Sequence, residues 1–339
     1  MAQDQARFGF AVVNVGAEKA LKAELGRIEK GARLAFSRPG LVTFKALGVD
    51  ERFASASVVA RVRGLSLGMA ETVADVRARA GDRPAVLHVF ARDADEDGPS
   101  PESLALEGDV RRALEAMPGW ITDRAPRDGE RVVDVIVAAG EPLFVGAHAH
   151  GKGRWAQPGG RVAVEVPEGA PSRAYRKLEE ALAWADLRPK PGIVAVELGA
   201  APGGAALALA RRGIHVTAVD PAAMDPGVLA FEGPGGARVT HVAKAGGALE
   251  AADVPEDASM LLVDANLAPP VVLRYFARLS SLAPHASLAV LTLKLNDDAM
   301  LSAVPKHLAR LKTLGWADVI ATRLPSNRSE ICVVARRRA

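Results

Sequence analysis

From Phe8 to about Arg161 short apolar runs alternate with stretches of helical period, and no long linker or low-complexity tract separates them. Phe8–Val13 and Leu41–Ala46 read as strands, the second after a turn at Ser37-Arg38-Pro39-Gly40. Between them, Ala17 to about Glu29 reads as a helix with Ala20, Leu21, Leu25 and Ile28 on one face. A second helix, about Glu51–Val62, is predicted to close this first α+β module. The same reading predicts helix Val73–Arg79, strand Ala85–Ala91, an acidic solvated loop Asp93–Asp97 and helix Ser103–Met117. A hairpin of Val132–Ala138 and Leu143–His148 around Gly140-Glu141 completes a second module.

A Gly- and Pro-bearing passage, Gly151 to Pro171, leads into a different pattern, which places the main boundary near residue 165. Beyond it, segments Ile193–Leu198, Gly204–Arg211, Ile214–Val219, Ala237–Val242, Met260–Val263, Pro270–Leu282, Leu288–Lys294 and Asp297–Leu314 alternate strand and helix. Such alternation demands a mostly parallel sheet with crossover helices, a doubly wound α/β fold. The end differs, because Ala317–Arg323 and Glu330–Arg336 are two apolar strands joined by the short turn Leu324–Ser329. A terminal hairpin of this kind puts one antiparallel strand into a parallel sheet, which is how class I methyltransferases depart from dehydrogenases. No internal repeat is visible.

Composition narrows the class. The 339 residues are 49% apolar and 24% charged, which is enough for two ordinary domains and excludes a disordered chain. Aromatics are 4%, so an aliphatic core is expected and a surface of stacked aromatics is not. The single cysteine, Cys332, permits neither an internal disulfide nor a cysteine cage for zinc; its place in an apolar strand marks it as core, and a reducing, cytoplasmic setting is expected. Residues 1–30 carry Asp4, Arg7, Glu18, Lys19, Lys22 and Glu24, and no segment approaches the roughly 18 uncharged apolar residues of a membrane span. A soluble protein is the expectation. Net charge is only +3, so any site for a polyanion is expected as a local patch.

Two groups of residues carry candidate chemistry. The run Glu197-Leu198-Gly199-Ala200-Ala201-Pro202-Gly203-Gly204 ends an apolar strand and opens a helix, where glycines let the backbone approach a ligand closely. The spacing is not the G-x-G-x-x-G of a dinucleotide site. It suits the methionine and adenosine parts of S-adenosylmethionine, a cofactor without phosphates, with Asp220 at the end of the next strand placed to accept the ribose hydroxyls. An NAD site and a plain Gly-rich turn with a capping Asp are the alternatives. The second group is Lys177, Asp264, Lys294 and Glu330. Ser172 reads as the N-cap of the helix bearing Lys177, Asp264 and Lys294 end strands, and Glu330 opens the last one. In an open α/β sheet ligands bind beyond the carboxyl ends of the parallel strands. A strand entering antiparallel begins at that edge, so all four are expected to meet there.

In these motifs, together with Ser172-Arg173, Lys177-Leu178-Glu179-Glu180-Ala181, Val216-Thr217-Ala218-Val219-Asp220, Leu293-Lys294-Leu295 and Ser329-Glu330-Ile331, the chain resembles the FtsJ-type ribose 2′-O-methyltransferases, and among them the RlmM family. The likeness is specific over about residues 165–339 and weaker over the first half. It implies a ferredoxin-like module at 1–65, a THUMP-like RNA-binding domain at 66–165 and a class I, Rossmann-like methyltransferase domain at 166–339. It further implies S-adenosylmethionine as cofactor, held by Ser172, Gly199, Ala200, Ala201, Pro202, Gly203, Gly204, Asp220 and Asp264. The implied substrate is the 2′-hydroxyl of a cytidine in 23S-type ribosomal RNA, with Lys177, Asp264, Lys294 and Glu330 as the catalytic tetrad. Neither metal, membrane nor obligate protein partner is implied.

A hydroxyl needs a base as its proton leaves, and Lys294 is the expected base. A free lysine titrates near about 10.4, so this role requires surroundings that favour its neutral form. Two departures from the wider type stand out: Ala205 where an aromatic is usual, and Lys244-Ala245-Gly246 where an acid usually meets the adenine, with Asp225 and Glu250 nearby as substitutes. A small-molecule O-methyltransferase and a non-catalytic RNA-binding or assembly protein are the competing readings. His148 and His150 share a strand face in this reading but lack a third metal ligand at a suggestive spacing. Arg323, Arg328 and Arg336-Arg337-Arg338 form a basic cluster, either a solvated tail or a contact for RNA phosphates.

Overall fold

The structure, a computed structural model, describes residues 6–29, 31–53, 57–295 and 298–337, with the side chains of Asp298 and Ala299 set aside. The chain divides into two units, Met1–Val162 and Ala163–Ala339.

The first unit runs β1 (Arg7–Val12), α1 (Glu18–Ile28), β2 (Arg33–Arg38), β3 (Leu41–Ala46), β4 (Val62–Ala70), α2 (Val73–Ala80), β5 (Ala85–Ala91), α3 (Pro101–Glu115), β6 (Trp120–Ile121), β7 (Arg131–Val137) and β8 (Leu143–Ala149). These strands form one sheet in the order β2-β3-β1-β4-β8-β7-β5-β6. The two expected modules therefore share a sheet, joined where β4 pairs antiparallel with β8. Its interior is aliphatic: Val76 and Leu114 of the helices pack on Leu87, Val133, Val135 and Val145.

One expectation fails here and two strands were not expected. The helix over Glu51–Val62 does not form in its described part; Ala54, Ser55 and Ala56 lie outside the described residues. Asp50 instead turns the chain by accepting from Arg52 N–H at 2.8 Å. Farther on, the amides of Val58 and Val59 donate to the buried carboxylate of Glu24, at 2.9 and 3.4 Å, which leaves them unavailable to a helix. Strand β4 went unpredicted because two glycines interrupt it. A Cβ at Gly64 would run into the Ala147 carbonyl, and Gly68 takes φ +101° where the register shifts. Edge strand β2 was missed because its residues are exposed or only half-buried.

The second unit runs α4 (Ala174–Trp184), β9 (Val194–Leu198), α5 (Gly204–Ala210), β10 (His215–Val219), α6 (Pro226–Ala230), β11 (Val239–Val242), β12 (Ala258–Val263), α7 (Pro269–Leu282), β13 (Leu288–Lys294), α8 (Asp298–Leu301), α9 (Val304–Thr313), β14 (Trp316–Thr322) and β15 (Glu330–Arg337). Strand order is β11-β10-β9-β12-β13-β15-β14. The first five run parallel, while β15 lies antiparallel between β13 and β14. This is the class I, Rossmann-like methyltransferase arrangement expected. Buried Val196, Leu198, Leu261 and Leu291 form near-continuous apolar strands, as a sheet covered on both faces requires. The expected helix Asp297–Leu314 is two helices, α8 and α9, with Pro305 in the first turn of α9. Asp297 itself lies outside the described residues.

Candidate functional site

The carboxyl edge of the second sheet gathers both groups of residues. Strand β9 ends in Glu197-Leu198 and the chain turns at Gly199, φ +76°. A Cβ there would sit 2.8 Å from Ala265 Cα and from the Asp264 carbonyl, so only glycine lets the loop pass this closely. Asp264 N–H donates to Leu198 O at 3.0 Å, which ties the end of β12 to the same loop. The Ala201-Pro202 peptide is cis. At the end of β10, Asp220 Oδ2 accepts from Ala201 N–H at 3.1 Å and Oδ1 from Ala222 N–H at 2.8 Å. Each oxygen keeps a further lone pair for a ligand hydroxyl.

Ser172 is not the N-cap of α4. That position is Arg173, without a side-chain cap, while Ser172 Oγ accepts from Ala174 N–H at 3.3 Å. The hydroxyl lies where a Cβ on Gly204 would go, so α4 and α5 meet at a serine–glycine contact. Tyr175, Leu178, Ala181 and Leu182 bury one face of α4 and hold it there, the large ones contributing about 1.5–3 kcal/mol each.

Glu197 was missed by sequence reasoning. It is 1% exposed. Burial first, then the charges of Asp264 and Asp220, push its carboxyl well above the ordinary range, against an opposing backbone hydrogen bond from Ala206. Among the described residues its Oε2 has no hydrogen-bond partner. The only signal in the sequence is an acid one residue before the end of an apolar strand. Glu197, Asp220 and Asp264 thus set three carboxyls around the glycine loop. The carboxylates of Asp220 and Asp264, with Glu197 as an acid that a nearby positive charge would help to ionise, suit a ligand bearing a sulfonium and an ammonium. The residues present fit S-adenosylmethionine, while the glycine spacing is not that of a dinucleotide site.

The four ionisable residues come together. Lys294 and Glu330 are direct cross-strand partners, and Lys294 Nζ donates to Glu330 Oε2 at 2.5 Å. Lys177 Nζ meets Glu330 Oε1 and lies 3.5 Å from Asp264 Oδ2. Burial raises the Glu330 carboxyl, but hydrogen bonds from Lys177 and Lys294 and their charges outweigh it and hold the group below its ordinary value. Glu330 is nearly buried and the lysines are mostly so. The outcome is a continuous chain Lys294–Glu330–Lys177–Asp264 beside the loop.

Other expectations resolve differently. Lys244 pairs with Asp253 at 2.8 Å and Glu250 at 3.4 Å, and Asp225 caps α6 through Gly227 and Val228. Both substitutes proposed for the missing adenine contact are thus engaged in local structure. His150 lies just past β8 rather than within it. His148 Nδ1 binds Asp134 at 2.6 Å, with His88 Nδ1 at 3.6 Å on the other side. Among the described residues no cluster of His, Cys, Asp or Glu is placed to hold a metal. Cys332 is buried, and burial pushes its thiol up. Much of the basic cluster is engaged locally: Arg336 pairs with Asp318 at 3.2 Å, Arg337 stacks over Trp316 at 4.7 Å and Arg323 is buried, whereas Arg328 is exposed and Arg338 lies outside the described residues. Among the described residues no helix is long and apolar enough to cross a membrane.

No protein-family model matches the chain. By sequence it is 41% identical over 102 residues to ribosomal RNA large subunit methyltransferase M of Alkalilimnicola ehrlichii, covering 28% of each chain. It is 44% identical over 124 residues to the protein of the same name from Ectopseudomonas mendocina, 34% of this chain and 33% of that one. The protein of that name from Xanthomonas oryzae pv. oryzae is 29% identical over 206 residues, 58% of this chain and 54% of the relative. The matched stretches thus span between about a quarter and about half of these relatives' length. Among solved structures, Aeropyrum pernix fibrillarin with S-adenosyl-L-methionine aligns at TM-score 0.37 and 15% identity, over 60% of this chain and 82% of that one. A TehB-like methyltransferase from Corynebacterium glutamicum aligns at TM-score 0.32 and 15% identity, over 49% and 88%.

Proposed function

We propose that this chain is an S-adenosylmethionine-dependent methyltransferase of large-subunit ribosomal RNA, that it acts on a ribose 2′-hydroxyl, and that the nucleotide is a cytidine of 23S-type RNA. The observation that carries the reading is the Lys294–Glu330–Lys177–Asp264 chain beside a glycine loop ringed by Glu197, Asp220 and Asp264. The partial sequence likeness to ribosomal RNA large subunit methyltransferase M proteins supports the substrate class.

When bound, S-adenosylmethionine supplies a methyl group activated by its sulfonium. Asp220 holds the ribose end of the cofactor through the lone pairs left by its two backbone donors. Glu197 and Asp264 counter the cationic end. Lys294, in the neutral form left once its ammonium proton has passed to solvent, takes the proton of the attacking hydroxyl at Nζ, and Glu330 and Lys177 hold Lys294 and the ribose in line. Proton removal by a positioned base is worth about 10²–10⁴-fold in rate. The first unit holds structured RNA by shape and phosphate contacts, as a ferredoxin-like module followed by a THUMP-like domain, and the setting is the cytoplasm.

The test is methyl transfer from labelled S-adenosylmethionine to naked 23S RNA and to small acceptors, followed by mapping of ribose methylation in RNA from cells with and without the gene. RNA binding should weaken with salt, with a log–log slope set by the phosphates neutralised. Transfer to small hydroxyl acceptors alone would return the small-molecule reading, and absence of cofactor binding by calorimetry would leave a non-catalytic RNA-binding protein.

A further inference from the structure

Glu330 does not hold its place unaided. The turn Leu324–Ser329 before it is fastened at two points by groups outside the tetrad. Glu180 on α4, 3% exposed, accepts from Ser326 through both the amide, 3.0 Å, and the hydroxyl, 2.6 Å, on Oε2. Asn327, 4% exposed, accepts from Leu324 N–H at 2.9 Å through Oδ1 and donates from Nδ2 to Glu330 Oε1 at 3.2 Å. The amide orientation is dictated by its neighbours, since a flip would set a carbonyl against a carboxylate and an NH₂ against an N–H.

This geometry settles which oxygen does what. Oε1 of Glu330 receives Asn327 and Lys177, and Oε2 receives Lys294. The terminal torsion of a glutamate is soft, so two flexible ammonium groups leave the carboxylate plane poorly fixed. A third donor from a rigid turn removes that freedom. Glu180 lies three residues after Lys177 on α4 and therefore on the same side of the helix. One helix thus sets both the lysine and the height of the turn.

We propose that Asn327 and Glu180 are positioning residues, holding Glu330 so that one carboxylate oxygen is committed to Lys177 and the other to Lys294. The assignment rests on the methyltransferase reading. The charged groups around Glu330 are Lys177 and Glu180 from α4, Asp264 after β12 and Lys294 from β13.

Two measurements on the full-length protein test it: carbon-13 NMR titration of the Glu330 carboxyl, which needs no substrate, and single-turnover methylation of ribosomal RNA against pH. Asn327→Asp keeps the shape and places a second carboxylate beside Glu330. The Glu330 titration should then rise by about one unit, and the pH–rate profile should move to higher pH with about a tenfold loss of rate at pH 7. Asn327→Ala should shift the titration in the same direction by less. Ser326→Ala, which keeps the amide bond to Glu180, stays informative if substitutions at Asn327 unfold the chain, and should slow transfer without changing S-adenosylmethionine affinity. Glu180→Gln retains an acceptor and should recover most of the rate that Glu180→Ala loses, which a merely structural glutamate does not require. An unchanged Glu330 titration in folded Asn327→Asp overturns the proposal, as do wild-type rates and profiles in Ser326→Ala and Glu180→Ala. A wild-type protein inert toward ribosomal RNA overturns the functional reading instead, and the titration then decides the positioning of Glu330 without it.

Discussion

Lys294 and Glu330 face each other across the antiparallel β13–β15 pair, and their side chains meet at 2.5 Å. Strand register, rather than a loop, brings the lysine to its carboxylate. A slip of one residue would turn Glu330 to the opposite face of the sheet, so the contact is as firmly specified as the apolar core of Ile331, Val333 and Leu291 that fixes the register.

Lys294→Ala should abolish methyl transfer and leave S-adenosylmethionine affinity within about twofold of wild type, since uncharged alanine removes the base and no backbone contact of the loop. Lys294→Arg keeps the positive charge beside Glu330 and should be equally inactive, because a guanidinium does not deprotonate in proteins. Single-turnover assays with ribosomal RNA, paired with calorimetry, read both. Substantial transfer by the arginine variant would sink the proposed mechanism.

Glu330→Gln should lower stability at pH 7 by about 1–3 kcal/mol, the scale for removing a charged hydrogen-bonding partner. The folded carboxyl ionises below its unfolded value of 4.5. Its contribution is therefore complete above that value and is lost as pH falls through the lower, folded one. Urea midpoints measured from pH 7 down to pH 3 should converge for the two proteins in that acid window. A constant gap across the whole range would contradict the linkage.

Glu197 titrates in the opposite sense. Its folded pKa is raised, so its contribution to stability is present below the unfolded value and lost as pH rises through the folded one. Glu197→Gln, which mimics the protonated acid, should melt higher than wild type at neutral pH, by about 2–4 °C for each kcal/mol recovered. If the cofactor's positive charge faces this group, its binding should draw the carboxyl into its ionised form and release a proton. The binding enthalpy of wild type should accordingly vary with the ionisation enthalpy of the buffer, and that variation should vanish in Glu197→Gln.

Asp220→Ala should weaken S-adenosylmethionine by about 1.5–3 kcal/mol, the cost of removing a charged acceptor, as measured by calorimetry. It is a cleaner probe of the loop than Gly203→Val would be. Gly203 has φ +118°, and a Cβ there would lie 2.9 Å from Met224 Cε and Val228 Cγ1. A branched residue at that position strains the backbone and the packing before any ligand arrives.

What could be read from the sequence follows from how local each signal is. Strands β9, β10, β12, β13 and β15 are continuous apolar runs because both faces of their sheet are covered, and strand ends are where Asp220, Asp264, Lys294 and Glu330 stand. Strand β4 was illegible because Gly64 exists to let the Ala147 carbonyl pass and Gly68 to bend the chain, both demands of a neighbour far along the sequence. Glu24 defeats the helix expected after Glu51 in the same way, by capturing amides more than thirty residues away. Glu197, Glu180 and Asn327 look like a strand acid, a helix-surface acid and a turn residue; only the tertiary structure shows the first as a buried carboxyl whose Oε2 has no partner among the described residues, the second bonded to Ser326 and the third to Glu330.

Because β15 inserts between β13 and β14 and follows both in the chain, the order of synthesis separates the two halves of the site in time. A nascent chain that has emerged as far as β13 already carries the glycine loop, Asp220, Asp264, Lys177 and Lys294, but β13 still presents an open edge. The carboxylate that joins the two lysines arrives only with the last strand. On the proposed reading, methyl-transfer competence is therefore expected only of the finished sheet, and a chain halted before Glu330 would present the glycine loop and both lysines without the carboxylate that joins them.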